Sequence, residues 1–412
     1  MKNPPKSFPI DNSAILFFSQ LRPWHSNAFR FTVAFHEEVC SEILQQALER
    51  VYGRFPSIFA AFHANVFDYD TVPLTQAPKA QKDPGLLHTM TAAELEQSAI
   101  RVYYDGCNLS LEMFHALADG CGAIQAFRAL IAEYLYRKEG IRSPEREQTL
   151  ETEPDWQEDL RDAYLDHQKE KPGSVPNHYA YQIPARSRNW QVKSTSPAFD
   201  TRKLLAAAKA HGASLTAFLS CLMAEAIMDI QHREERGKLR PVRIMVPVDL
   251  RRLFPCGTLR NYILYGLPTL EPRGAALPRM ERMRSFQQQL KQQATAGHLL
   301  PQVARNVRIQ QSALYRCIPR SIKCGIMRIA YDLCGEPNSS ITLTNLGPFH
   351  LSEELRPYVR DVDLTLTPRR RSPYNCSVLS FGDVTHINIC RFGAQPDLED
   401  VFFSKLQEIL ES

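Results

Sequence analysis

The sequence predicts an α+β fold or mixed-sheet sandwiches, with strands and helices in each of two halves. Three observations lead there. Segments with a two-residue apolar period and segments with a helical period follow one another without the strict strand–helix–strand order of a doubly wound parallel sheet. No GxGxxG follows a predicted strand and no GxxxxGK[ST] occurs, which argues against a nucleotide-phosphate loop. The 412 residues suit two ordinary domains, each large enough to bury a core.

In the first half, Phe29, Phe31, Val33 and Phe35 alternate with Arg30, Thr32 and Ala34, the pattern of a half-buried strand. Ile43, Leu44, Ala47, Leu48 and Val51 then share one helix face, with Ser41 placed to cap it and Pro56 unable to continue it. Residues 58–69 read as a strand and 71–88 as a proline- and lysine-containing loop. A strand pair is expected from Ala99 to Met113, turning at residues 105–108. A helix begins near Gly120, with Ala123, Ile124, Phe127, Leu130, Ile131 and Leu135 on one face.

Residues 138–200 are rich in Glu, Asp, Arg, Pro and Ser and read as a linker with one short helix. Helices follow at Leu204–Ala210 and Ser214–Ile230, then a strand from Val242 ending at Pro247. Residues 278–333 read as helical with breaks at Pro301 and Pro319. Strands are expected at Ser340–Asn345, Val362–Thr367, Cys376–Phe381 and Val384–Cys390, the last two joined by a hairpin turn at Gly382-Asp383. A helix from Asp397 to Leu410 closes the sequence, and no internal repeat is visible.

Composition narrows the function classes. With 44% hydrophobic and 23% charged residues the chain is of ordinary globular make-up. Against 45 Asp+Glu stand 49 Lys+Arg, a net +4, which argues against a broad nucleic-acid surface. No apolar run approaches the roughly 18 residues of a membrane span. Prolines 4, 5 and 9 and Asp11 leave no room for a signal-peptide core. The ten cysteines form no CxxC pair and no zinc-like cluster, so they are expected to be reduced, mostly buried thiols of a cytoplasmic protein, with no metal.

The segment richest in chemistry is Leu109 to Gly122. Leu109, Leu111 and Met113 alternate, placing His115 at a strand end, and Asp119-Gly120 precede a long helix. A rigid, accessible strand-to-helix junction suits a reactive side chain. Imidazole is largely a free base at pH 7, and a positioned base gives about 10²–10⁴-fold in rate. The same residues have a plain alternative: Asp119 as helix cap, Gly120 as turn former, and His115 as one of 12 histidines.

His115-Ala-Leu-Ala-Asp119-Gly120 resembles the HxxxDG motif of the acyl-CoA-dependent acyltransferase superfamily, which includes chloramphenicol acetyltransferase, condensation domains, plant BAHD enzymes and alcohol O-acetyltransferases. The opening from Phe29 to Pro56 is similar to the start of these proteins. Val246-Pro-Val-Asp-Leu-Arg251 with Thr258-Leu-Arg-Asn261 resembles their "vPvdlR…N" stretch, and Thr344-Asn345-Leu-Gly347 their "sNlG" strand end. Phe114 stands where many condensation domains carry a second His, and no DFGWG is present; both favour the stand-alone alcohol O-acetyltransferase-like branch.

The resemblance implies two chloramphenicol-acetyltransferase-like halves, each an open mixed sheet with helices, residues 1–180 with the motif and 181–412, arranged as a V around a tunnel. It implies His115 as general base, attacking no substrate itself but freeing a small alcohol or amine to attack the thioester of acyl-CoA directly. No tightly bound cofactor and no metal would be needed, and the protein would act as a monomer. Asp119 would pair with a basic residue, for which Arg251 is the candidate, and Gly120 would keep the turn open.

Asn261 and Asn345 sit beside predicted strand ends, where each is either an oxyanion donor or an Asn that satisfies its own loop. Ser377 is a weaker candidate of the same kind. Arg369, Arg370 and Arg371 form the densest positive charge: a site for the CoA phosphate or an acidic carrier protein, or a solvated loop. Alternatives to a CoA-dependent enzyme are a carrier-protein-dependent, condensation-like acyltransferase and a binding or scaffold protein of the same fold.

Overall fold

Five strands make the first sheet, in the order Val359–Leu366, Ala28–Phe35, Asn108–Phe114, Ile100–Asp105, Ala80–Lys82. All neighbours are antiparallel except the last pair. These assignments come from a computed structural model that describes residues 5–173, 179–185, 190–234, 237–393 and 397–411. The two-residue period sets the register: Phe31 lies opposite Leu111 on one side and Leu364 on the other, and Val33 opposite Leu109 and Val362. These side chains pack against the helices Ser41–Tyr52 and Gly120–Glu139; Phe31 stacks on Phe127 at 5.6 Å.

The strand Ala28–Phe35 is buried on both faces rather than one. Its polar side is covered because Arg30 is matched. The guanidinium donates to Glu112 Oε2 at 2.7 and 3.0 Å and to Asp83 Oδ2 at 2.7 Å, and Arg101 reaches the other Glu112 oxygen at 3.0 Å. A paired network of this kind lets charge sit inside.

The second sheet holds eight strands. Its path runs Ile263–Gly266, Val242–Asp249, Ile341–Pro348, Tyr374–Phe381, Val384–Phe392, Val192–Thr195, with Thr269–Leu270 and Ala198–Asp200 pairing from the side. Val242–Asp249 and Ile341–Pro348 are parallel, as are Ile341–Pro348 and Tyr374–Phe381, so both sheets are mixed. Helices Leu215–Glu234, Arg279–Gln293 and Asp397–Glu411 pack on it in one core. A small third sheet joins Phe8–Pro9, Tyr69–Pro73 and Ala60–Ala64.

Several expectations shift. Helix Ser41–Tyr52 starts at Ser41 itself, with Cys40 as the capping position and no side-chain cap. The strand from Val242 runs through Pro247 to Asp249: Pro247 stands opposite Tyr265 of Ile263–Gly266, beyond the stretch Ile244–Met245 that pairs with Ile341–Pro348 on the other side. Pro301 sits in the second turn of helix Ala296–Gln311, and the break falls before it at 294–295. Pro319 does mark a boundary, preceding helix Arg320–Ala330. The expected linker is more ordered than its composition suggests: it carries short helices at Pro144–Leu150, Trp156–Asp159 and Ala163–His167. Ala163 and Tyr164 pack with Leu250, Tyr262 and Val303 of the second half. Residues 174–178 and 186–189 of that linker lie outside the described residues. Among the cysteines three are buried, five half-buried and two, Cys317 and Cys334, exposed.

The two larger sheets interlock. The strand Val359–Leu366 arises late in the chain yet completes the first sheet. Ser377 and Asn388 of the second sheet hydrogen-bond to Leu364, Asp363 and Thr365 of that crossing strand.

Candidate active site

His115 follows the last residue of strand Asn108–Phe114, and its N–H donates to the Asn27 carbonyl at 2.8 Å. The imidazole is half-buried. Phe17 stacks on it at 4.5 Å and 15°, and Phe29 meets it edge-on at 5.1 Å. Its Nδ1 lies 3.2 Å from Asn261 Oδ1. The Asn261 amide nitrogen donates to Asp11 Oδ2 and to the His115 carbonyl, each at 3.0 Å. With its amide N–H groups donated to these two oxygens, Asn261 turns its own oxygen to the ring. His115 Nδ1 must then carry the proton, which leaves Nε2 with a free lone pair. Burial pulls the His115 pKa below 6.5, against the opposing pull of its hydrogen bonds and of Asp119 and Asp11, so the ring is neutral at pH 7.

Asp119 caps the helix Gly120–Glu139, its Oδ1 accepting from the Gly122 N–H at 2.9 Å. Its other oxygen accepts from Arg251 Nη1 and from the Tyr262 N–H, both at 2.8 Å. Arg251 also donates to the Thr258 carbonyl at 3.0 and 3.1 Å and to the Arg260 carbonyl at 2.5 Å. Burial opposes the Arg251 charge, but Asp119 and Asp249 hold it firmly cationic. Asp119 and Arg251 therefore do not touch the ring of His115. They shape loop 258–262, which carries Asn261 to it. Linker residues brace the same loop: Leu259 N–H donates to the Asp159 carbonyl at 3.1 Å and Thr258 Oγ1 to the Arg161 carbonyl at 2.6 Å.

Gly120 and Gly122 admit this loop and its neighbour. A Cβ on Gly120 would meet Leu346 at 3.1 Å, a tight but adjustable contact. A Cβ on Gly122 would stand 1.9 Å from the Leu259 carbonyl oxygen, which nothing but removal of the side chain permits.

The other sequence candidates stand apart from His115. Asn345 donates to Thr216 Oγ1 at 3.0 Å and closes its own turn by accepting from the Gly347 N–H at 2.9 Å. Ser377 is buried and donates to the Leu364 carbonyl. Arg369 is buried against Ser339 and Glu336. Arg370 pairs with Asp332 and Glu336, and Glu336 also accepts from the backbone of Arg370 and Arg371. The Arg371 side chain is exposed, 4.0 Å from Glu336.

Residues that the sequence did not single out complete the site: Asp11, Phe17, Asn27 and Gly122. Gly122 was visible as the second glycine of Asp119-Gly-Cys-Gly122; no local signal marks the other three. Asn27 also lines a polar cavity with Arg22, His25, Tyr331, Arg370 and Asn375. His25 Nε2 lies 3.2 Å from the Pro368 carbonyl and so donates, while its buried Nδ1 has no partner. Beside the motif, burial and then Asp119 push the Cys121 thiol up to about 12, so it offers no thiolate nucleophile.

No protein-family model matches the sequence, and no curated protein matches it. Solved structures do, along nearly all of the chain. F. graminearum TRI101 complexed with coenzyme A and deoxynivalenol is similar at a TM-score of 0.67 and 10% identity, covering 98% of this chain and 97% of that one. Polyketide synthase associated protein 5 from Mycobacterium tuberculosis gives 0.62 at 14%, covering 98% of each chain. The epimerization domain from the third module of tyrocidine synthetase B gives 0.60 at 14%, covering 100% and 99%. At these identities the likeness is one of fold: the chain has the mixed α/β fold of the condensation-domain and chloramphenicol-acetyltransferase-like proteins.

Proposed function

We propose that the protein is an acyltransferase that moves an acyl group, most simply acetyl, from acyl-CoA to the hydroxyl or amine of a small acceptor. One observation carries this reading: a neutral imidazole whose Nδ1 is held by Asn261, so that Nε2 is the base. His115 Nε2 takes the acceptor's proton as its oxygen or nitrogen attacks the thioester carbonyl. The carbon–sulfur bond then breaks, and the thiolate leaves with the proton returned from the imidazolium. A thioester needs no further activation, so one base suffices. The solved TRI101 structure, with its coenzyme A, supports a CoA donor.

The test is thiol release from several acyl-CoAs over a panel of alcohols and amines. His115→Ala should lose about 10²–10⁴-fold in turnover with an unchanged melting curve. Wild-type turnover in that variant would end the proposal. The likeness to an epimerization domain favours a second reading, in which the thioester arrives on a carrier protein. Comparing free acyl-CoA with an acyl-carrier thioester separates the two. In either reading the reaction centre lies between residues 1–180 and 181–412, where His115 meets Asn261.

A further inference from the structure

Helix Arg320–Ala330 inverts the usual order of a surface helix. Its one buried residue is Lys323, 3.3 Å from Asp68 and over the Tyr315 ring. Arg328 Nε donates to the Ser19 carbonyl at 3.1 Å, and the Arg320 guanidinium lies over the Tyr69 ring. Cations hold the helix to the protein, and its isoleucines face away. Ile322, Ile326 and Ile329 are 53%, 50% and 61% exposed, and Leu333 in the next turn is 55% exposed. At about 100° per residue the three isoleucines fall within a stripe roughly 60° wide. Leu314 is exposed just before the helix, and Val66 and Phe67 lie exposed in the loop whose Val66 carbonyl accepts from the Arg320 N–H at 2.9 Å. Burying an isoleucine is favourable by about 1.5–3 kcal/mol, so a gathered patch of this kind marks a surface covered in use.

Charge says what covers it. From Pro301 to Tyr331 the chain carries Arg305, Arg308, Arg316, Arg320, Lys323 and Arg328 and no Asp or Glu. Arg328 is turned to the Ser19 carbonyl, and Arg308 and Arg316 are exposed. The nearest acids, Asp68 and Asp332, already pair with Lys323 and Arg370. A symmetric contact between two copies would set arginine against arginine. We infer that this face docks on the headgroup surface of an anionic lipid bilayer, with Ile322, Ile326, Ile329 and Leu333 entering the acyl boundary and the exposed Arg308 and Arg316 meeting phosphates. The inference stands apart from the acyl-transfer reading. It places the bilayer one helix away from His115, since helix Arg320–Ala330 packs on Ala14–Gln20, which carries Phe17.

The test is sedimentation of the full chain with vesicles of phosphatidylcholine alone and of equimolar phosphatidylcholine and phosphatidylglycerol. Binding is expected only to the anionic vesicles, weakening with salt. Ile322→Gln/Ile326→Gln/Ile329→Gln should reduce it at least about tenfold, and Arg308→Glu/Arg316→Glu should reduce it as well, with melting curves unchanged because the side chains are exposed. Absence of binding to anionic vesicles, or equal binding by the triple-Gln variant, overturns the inference. A wild-type dimer that becomes monomeric in that variant, with no vesicle binding by either, overturns it in favour of self-association.

Discussion

Arg251 Nη1 lies 2.8 Å from Asp119 Oδ2, across 132 residues of sequence. The pair is the hinge on which the site's geometry turns, because the same carboxylate oxygen accepts the Tyr262 N–H and the same guanidinium gathers the carbonyls of Thr258 and Arg260.

Asp119→Ala removes the helix cap and the buried partner of Arg251, leaving the guanidinium with Asp249 as its carboxylate. Breaking a buried pair from one side costs about 3–5 kcal/mol. Urea denaturation should show a loss of that order, larger than for the exposed pair variant Arg202→Ala, whose partner Asp383 lies at the surface.

Gly122→Ala forces a Cβ against the Leu259 carbonyl oxygen. Overpacking costs about 1–3 kcal/mol, and here the obstacle is backbone, so the upper end or more is expected, with activity lost as loop 258–262 shifts. Gly53→Ala meets nothing within 4 Å and should leave stability unchanged or slightly raised. Similar melting temperatures for the two variants would count against the close approach.

Asn261→Ala removes the group that holds His115 Nδ1. The expected loss is about tenfold in kcat, the scale of one hydrogen bond, with KM nearly constant. A fall in KM affinity without change in kcat would instead make Asn261 a substrate contact.

The pH profile follows from the His115 environment. Burial lowers its pKa, so the base form appears earlier as pH rises. Turnover limited by this base should climb to a plateau with its midpoint below 6.5, and the midpoint should move in Asn261→Ala. A midpoint above 6.5 would contradict the assignment.

His386 has the opposite sign. Its Nε2 lies 2.5 Å from Asp361 of the crossing strand. Burial opposes the charge, but Asp361 and then Asp363 raise the pKa above 6.5. The folded state thus holds the proton more tightly than the unfolded chain. Its contribution is full below 6.5 and fades as pH rises through the folded value. The stability gap between wild type and His386→Gln should be larger near about pH 5.5 than near about pH 8.5.

Much of the fold was legible along the chain. The alternation from Phe29 to Phe35, the helical face through Phe127 and the Gly382-Asp383 turn all report local periods that tertiary packing did not override. The site was legible only where a motif concentrates it: His115, Asp119 and their strand-to-helix junction. Asn261 was visible as a polar residue at a strand end, but not its orientation toward Nδ1, which depends on Asp11 some 250 residues away.

What the sequence alone determined is therefore local: which segments are strands and helices, and where a reactive His can stand. Tertiary structure decided the rest. It sent Val359–Leu366 into the first sheet, because that sheet's apolar edge at Phe31 and Val33 needed Leu364 and Val362. It covered Arg30 with Glu112 and Asp83, and it turned the isoleucines of Arg320–Ala330 outward by anchoring Lys323 beneath them. Periodicity reports which residues share a face; it carries no information on what that face meets, because the partner's position is set by contacts far apart in the chain.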